Sequence, residues 1–390
     1  MTGALDNHAL ADFALRLVGR RSLSGEEGGV AELVAAEMRS LGYQVVVDAL
    51  GNVIGSLGNG GGRCVLFDAH MDTVGVTEPA AWTHSPEGEI ADGRLYGRGA
   101  MDMKGPLAAC LHGVAALRDR LPAGRVVVTA TVAEELVEGP ALTAVAEEVR
   151  PDLVVICEAT GLGLAVGQRG RAEISVEVEG RPTHSSRPEL GVNAVEAMAD
   201  VILALREVRP PGHPVLGPGV LVLTDVISRP YPGLSVVPDR CSATYDRRTL
   251  PGETEDSVLA PVRAAVARAL GAGPATGRVF LAEDDFATYA GARVRAVNFA
   301  PAWYLEPDSP SVRLAAAALE SAGLPARITH YAFCTNGSGT AGRLGIPTVG
   351  FGPGAEEMAH RVDEHVELEQ LEAAARGYRA IATLALGKVG

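Results

Sequence analysis

A chain of 390 residues is long for one compact domain and comfortable for two, which predicts a composite architecture with a sizeable core. Hydrophobic residues make up 47% and charged residues 21%, ordinary globular usage that excludes disorder and fibrous repeats. The formal net charge of -14, with no basic cluster set against it, excludes nucleic acid and anionic membrane surfaces as expected partners.

The chain opens with Asp6 and Asp12 inside an amphipathic pattern, where a secretory signal needs a basic start and an unbroken apolar stretch. No apolar run approaches the roughly 20 residues that span a bilayer, so the expected location is the cytoplasm. Strand-like runs then alternate with helical periods: a strand over 63–69, a helix over 104–117, a strand over 126–132, a helix over 141–149 and a strand over 153–157. That alternation predicts an α/β fold with a mixed, largely parallel sheet flanked by helices.

The texture changes at 172–180, where AEISVEVEG alternates as a half-buried antiparallel strand does. A helical period over 192–208, strands over 220–227 and 241–248 and a second helix over 253–270 follow, separated by loops at 180–188 and the proline-rich 209–218. These elements predict an inserted α+β domain over 172–301, two helices over a small open sheet, between flanking parts at 1–171 and 302–390. The earlier style resumes at 326–331, 346–351 and a closing helix over 368–386.

Chemistry-bearing residues collect where the apolar strands stop. His70 ends the first strand in FDAHMDT; its imidazole suits zinc, and Asp72 is placed to hold the other ring nitrogen. A satisfied loop histidine gives the same string. Asp102, in GRGAMDMKG before a helix, reads either as an N-cap or as a metal-bridging carboxylate. Glu134 and Glu135 cap the strand over 126–132, so one can be a metal ligand while its neighbour moves protons. Glu158 repeats the strand-then-carboxylate design, and His360 follows a strand and a glycine-rich loop. Two histidines and several carboxylates at the strand ends of one sheet suit a pair of zinc ions. Five well-separated cysteines without a CxxC pair indicate neither a disulfide framework nor a structural zinc site, although Cys157 adjoins Glu158 and Cys334 lies two residues before Asn336.

In the order HxD, GRGAxDMKG, AEE, strand-end Glu-Ala-Thr and GPGxxxxAH, the chain resembles the M20 metallopeptidases over nearly its whole length. That family includes acetylornithine deacetylase, succinyl-diaminopimelate desuccinylase, aminoacylase and carboxypeptidase G. The resemblance implies two zinc ions per subunit, with cobalt or manganese as substitutes: His70 and Glu158 on one, Glu135 and His360 on the other, Asp102 bridging, and Glu134 as general base. It further implies that the inserted segment is a dimerising lid, two helices on a four-stranded antiparallel sheet, between two parts of a catalytic domain at 1–171 and 302–390. There, His184 in GRPTHSS would polarise the scissile carbonyl in the partner subunit, and Arg248 in DRRTLP would hold a substrate carboxylate. A surface strand arginine is the plainer account of Arg248.

Two departures bear on substrate. Ser235 stands before Val-Val-Pro where many relatives have asparagine, and the loop TNGSG carries neutral Asn336 where acetylornithine-type deacetylases tend to be acidic. Asn336 is expected to face substrate. The expected reaction is hydrolysis of the amide bond of a small N-acyl amino acid by a homodimer. A metallo-dipeptidase or carboxypeptidase acting on short peptides and an N-carbamoyl hydrolase are the alternatives on the same machinery. A catalytically silent binding protein predicts a broken ligand set, and no position is broken here.

Overall fold

Continuous apolar strands and alternating ones end up in different sheets. The structure is a computed structural model and describes residues 5–58, 60–121 and 123–387. It divides into one unit of 1–168, 285–295 and 303–390, and a second of 169–284 and 296–302.

In the first unit the central sheet runs Gln44–Val47, Val53–Gly58, Arg125–Thr131, Cys64–His70, Leu153–Ile156, Thr348–Gly350, Leu164–Gln168 and Trp303–Tyr304, with Ile328–Tyr331 also paired to Leu164–Gln168. Four adjacent strands in the middle, Arg125–Thr131, Cys64–His70, Leu153–Ile156 and Thr348–Gly350, are mutually parallel. Antiparallel pairs flank them, which makes the sheet mixed. Both faces are covered, so the strand Cys64–His70 is buried at all seven positions and reads as an unbroken apolar run. Its side chains nevertheless alternate between two cores. Val65, Phe67 and Ala69 join Val126, Val128 and Val155 beneath the helices Asn7–Val18, Gly28–Ser40, Gly105–Ala115, Pro310–Ser321 and Leu368–Gly387. Leu66 joins Val127, Val154 and Ile156 against Leu142 and Val145 of the helix Pro140–Val149.

The second unit carries an antiparallel sheet in the order Val220–Arg229, Arg240–Thr249, Gly170–Glu179, Thr276–Leu281. Gly170–Glu179 alternates buried and half-buried positions along its whole length, because only one face is covered. The helices Ala194–Leu205 and Glu255–Leu270 supply that cover, packing Met198, Val201, Val258 and Val262 against Ile174, Val176 and Ala243. Phe299–Ala300 also pairs with Gly170–Glu179, so the sheet has five strands where four were expected.

The boundaries differ from 172 and 301 as well. The opening segment of the first unit runs to 168, and the segment 285–295 belongs to that unit rather than to the insertion. The reason lies in packing: Tyr289 donates its hydroxyl to the Gly51 carbonyl at 2.7 Å, and Phe286 joins the first unit's core. No helix among the described residues is long and apolar enough to cross a membrane. All five cysteines are buried free thiols.

Candidate metal centre

The four parallel strands deliver their residues at one edge, the carboxyl ends, where open α/β sheets bind ligands. His70 is the last residue of its strand, Glu134 and Glu135 follow Thr131, Glu158 follows Ile156, and His360 follows Gly350 through a glycine-rich loop. Asp102 arrives from the side, in a turn between Gly99, at φ 84, and the helix Gly105–Ala115. The N-cap position of that helix is Lys104, with no side-chain cap hydrogen bond, so Asp102 caps nothing. That removes the N-cap account of Asp102 and leaves its carboxylate available to the cluster.

The donor atoms fall into two lobes that share Asp102. In the first, His70 Nε2 stands 3.1 Å from Asp102 Oδ1 and 3.3 Å from Glu158 Oε1. In the second, His360 Nε2 stands 3.4 Å from Asp102 Oδ2 and 3.2 Å from both oxygens of Glu135. Donor atoms at the usual zinc distances of about 2.0 to 2.1 Å and tetrahedral angles lie about 3.3 Å from one another. Each histidine therefore stands from its carboxylates at the spacing of two ligands on one divalent ion. Glu134 reaches to 3.9 Å from His70 Nε2, farther than Asp102 or Glu158. His70, Glu134 and Glu158 offer donor atoms within 4.8 Å of one another, and so do His70, Asp102 and Glu135.

Charge on the metal-free cluster points the same way. Burial disfavours the His70 imidazolium, yet Asp102, Asp72 and Glu158 outweigh it and raise the His70 pKa well above the ordinary value. Asp102 and Glu135 hold His360 at about 10. Burial, with Asp102 close by, pushes Glu158 up to about 7. Burial also raises Glu134 well above the carboxylate range, its nearness to His70 offsetting part of the effect. Such a group of buried acids demands positive charge, supplied here by imidazolium protons and equally by cations.

A buried layer behind the cluster fixes its geometry. His70 Nδ1 donates to the main-chain carbonyl of Asp72 at 2.9 Å, which turns Nε2 toward the cluster; the Asp72 carboxylate, expected to do this, is 3.5 Å away. That carboxylate instead accepts the backbone N–H groups of Glu134 at 3.1 Å and Glu135 at 3.0 Å, and the Ser24 hydroxyl at 2.6 Å. Glu364, fully buried, accepts the N–H groups of Met101 and Asp102 at 3.0 and 3.1 Å and pairs with Arg98 at 2.5 Å. Ser24, Glu27, Arg98 and Glu364 escaped the sequence reading. The local signals were the place of Arg98 within GRGAMDMKG and the serine- and glutamate-rich stretch SLSGEE ahead of a helix.

Asn336 does not face substrate. It is 2% exposed, donates to Asp68 Oδ2 and Thr131 Oγ1, both at 3.1 Å, and accepts from Gly139 N–H at 2.8 Å. Every polar atom of its amide is committed to joining the strand ends from below. His184 and Arg248 belong to the second unit. His184 is exposed, its Nδ1 accepting from Ser186 N–H at 3.1 Å, and its loop is tied to Ser235 through Ser185 N–H at 2.9 Å. Arg248 forks onto Asp246 of its own motif at 2.8 and 3.3 Å.

The sheet and the cluster define an α/β protein with a candidate metal-binding site at the carboxyl ends of its central strands. The pattern of peptidase family M20/M25/M40 matches residues 66–384, and the chain belongs to that family. It is a hydrolase of amide or peptide bonds. The chain is 33% identical over 378 residues to YgeY of Escherichia coli (strain K12), covering 95% of this chain and 92% of that protein. It is 28% identical over 382 residues to succinyl-diaminopimelate desuccinylase 2 of Ruegeria sp. (strain TM1040), covering 92% and 90%. The crystal structure of aminopeptidase PepT from Bacillus cereus ATCC 10987 matches with a TM-score of 0.76 at 20% identity, over 98% of this chain and all of that one, a likeness of fold alone.

Proposed function

We propose that the protein is a dizinc hydrolase that cleaves the amide bond of a small N-acyl amino acid, with Glu134 as general base. The observation that carries this reading is the division of labour at the strand ends: Asp102 turns one oxygen to each histidine, while Glu134 stands farther from His70 than Asp102 and Glu158 do. His70 and Glu158 would hold one ion, Glu135 and His360 the other, with Asp102 between them. Zinc, cobalt or manganese bound there lowers the pKa of a bound water and polarises the scissile carbonyl.

Glu134 takes the proton from the attacking water and passes it to the leaving amine, a role suited to a carboxylate whose proton affinity burial raises. Arg248, released from Asp246, binds the substrate carboxylate through two parallel hydrogen bonds. His184 donates to the carbonyl oxygen as it gains charge. The deacylase reading takes its lean from the desuccinylase relative, whose name specifies removal of an acyl group.

A homodimer through the second unit completes the reading. Its edge strand Val220–Arg229 exposes Val222, Leu223, Val226 and Ile227, each at least 36% accessible, on an unpaired sheet edge that a second copy can cover. The five buried free thiols suit the cytoplasm.

The test is a mass-spectrometric screen of the zinc-loaded enzyme against N-acetyl, N-succinyl, N-formyl and N-carbamoyl amino acids and dipeptides, run beside Glu134→Ala. Turnover of an N-acyl amino acid that Glu134→Ala abolishes while keeping its metal is the expected result. Cleavage of dipeptides alone overturns the deacylase reading, and substantial turnover by Glu134→Ala overturns the base.

A further inference from the structure

Three consecutive backbone N–H groups, those of Ala133, Glu134 and Glu135, all end on buried carboxylates. Asp72 takes the second and third. Glu27 takes the first, its Oε1 accepting from Ala133 N–H at 3.0 Å. Ala133 is left-handed, at φ 56, a conformation that strains a residue with a β-carbon and persists only where the surroundings enforce it. The reversal at Ala133 sets the direction in which the next side chain, Glu134, leaves the backbone.

Glu27 is fully buried and closes a short segment that grips both strand ends. In that segment Ser22 donates its hydroxyl to the Met71 carbonyl at 2.7 Å, its own carbonyl accepts from Thr73 N–H at 2.8 Å, and Ser24 donates to Asp72. Residues 22–27 thus bind the turn after His70 and the turn before Glu134 to one another. Glu27 Oε2 finds no hydrogen-bond partner among the described residues, and burying an unpartnered oxygen beside Asp72 works against stability.

We propose that Glu27 is a positioning residue: by anchoring the left-handed turn at Ala133 it aims the Glu134 carboxylate relative to the metal ligands. This rests on Glu134 being the base. Its measure is the sensitivity of oriented reactions, in which a displacement of about 1 Å costs about 100-fold in rate.

The test compares Glu27→Gln, Glu27→Asp and Glu27→Ala in the full-length, zinc-loaded protein, on the panel amide that the unaltered enzyme turns over fastest. Glutamine keeps an acceptor for Ala133 N–H, and its kcat stays within about threefold. Aspartate is one methylene short and alanine has no acceptor; both lose about 30- to 100-fold in kcat, with KM within twofold and zinc content unchanged. A crystal structure of Glu27→Asp then shows Glu134 displaced or Ala133 relaxed to negative φ. The proposal is overturned if aspartate and alanine stay within threefold, if glutamine loses as much as alanine, or if zinc is lost in step with kcat. Glu134→Ala runs alongside: full activity there sinks the base itself, whereas an inactive Glu134→Ala with an unaffected Glu27→Ala sinks the positioning role alone.

Discussion

Replacing Glu364 with alanine strips the backing from Asp102, and the structure sets the size of the effect. Glu364 is fully buried and Arg98 is 5% exposed, so neither charge is relieved by solvent. Arg98 Nε and Nη2 have no hydrogen-bond partner among the described residues, which makes Glu364 the principal anchor of the guanidinium. Removing one partner of a buried pair costs about 3 to 5 kcal/mol. The Met101 and Asp102 N–H groups lose the same acceptor, so their cost overlaps with the first rather than adding to it, and about 4 kcal/mol is a fair total. At roughly 2 to 4 °C per kcal/mol for a domain of a few hundred residues, Tm falls by roughly 8 to 16 °C. Glu364→Gln keeps an acceptor for the two N–H groups and loses about half as much, and adding Arg98→Met to Glu364→Ala recovers stability because no unpaired charge remains. Circular-dichroism melts with zinc present read all three. A fall below roughly 3 °C for Glu364→Ala, or no recovery in the double variant, refutes the reasoning.

Asn336→Asp sets a second carboxylate against buried Asp68 and removes two donated hydrogen bonds, so Tm drops by several degrees while KM is unchanged. A shifted KM at constant Tm restores Asn336 to the substrate site. Arg248→Ala raises KM at least tenfold for carboxylate-bearing substrates without loss of zinc, and an unchanged KM removes it from substrate binding. In chelated protein, Glu158 has a folded pKa near 7, above its unfolded value, so its ionisation disfavours the fold as pH rises from about 4.5 to 7. His360 is raised to about 10, so its contribution is full below about 6.5 and lost as pH climbs toward 10. The Tm of chelated protein therefore falls with pH while the zinc-loaded Tm holds, and differential scanning fluorimetry from pH 6 to 9 shows the gap widening; a constant gap contradicts the ligand set. Ile227→Lys on the exposed edge strand yields monomers by analytical ultracentrifugation if the second unit dimerises there.

The strand ends were legible in the sequence because parallel strands covered on both faces leave long apolar runs, and a carboxylate or imidazole directly after such a run needs solvent or a cation. The layer behind them was not. Ser24 meets Asp72 across 48 positions, Glu27 meets Ala133 across 106, and Glu364 meets Asp102 across 262, with no periodicity to announce any of these contacts. Asn336 misled because the family resemblance marks its loop as substrate-facing, whereas the segment is buried and Ser338–Arg343 forms a wide helical turn against the helix Pro140–Val149. The segment 285–295 was assigned to the insertion because it lies in the chain between two strands of that sheet; only the packing of Phe286 and Tyr289 reveals its true unit.

The central claim is that Asp102 divides the cluster into two cation sites and leaves Glu134 outside both. Anomalous diffraction at the zinc edge, on crystals grown with zinc, tests it most directly. Two peaks are expected, one bounded by His70, Glu158 and Asp102 and the other by Glu135, His360 and Asp102, with Glu134 ligating neither. No peak at these residues, or a single ion held by Glu134, would contradict the account.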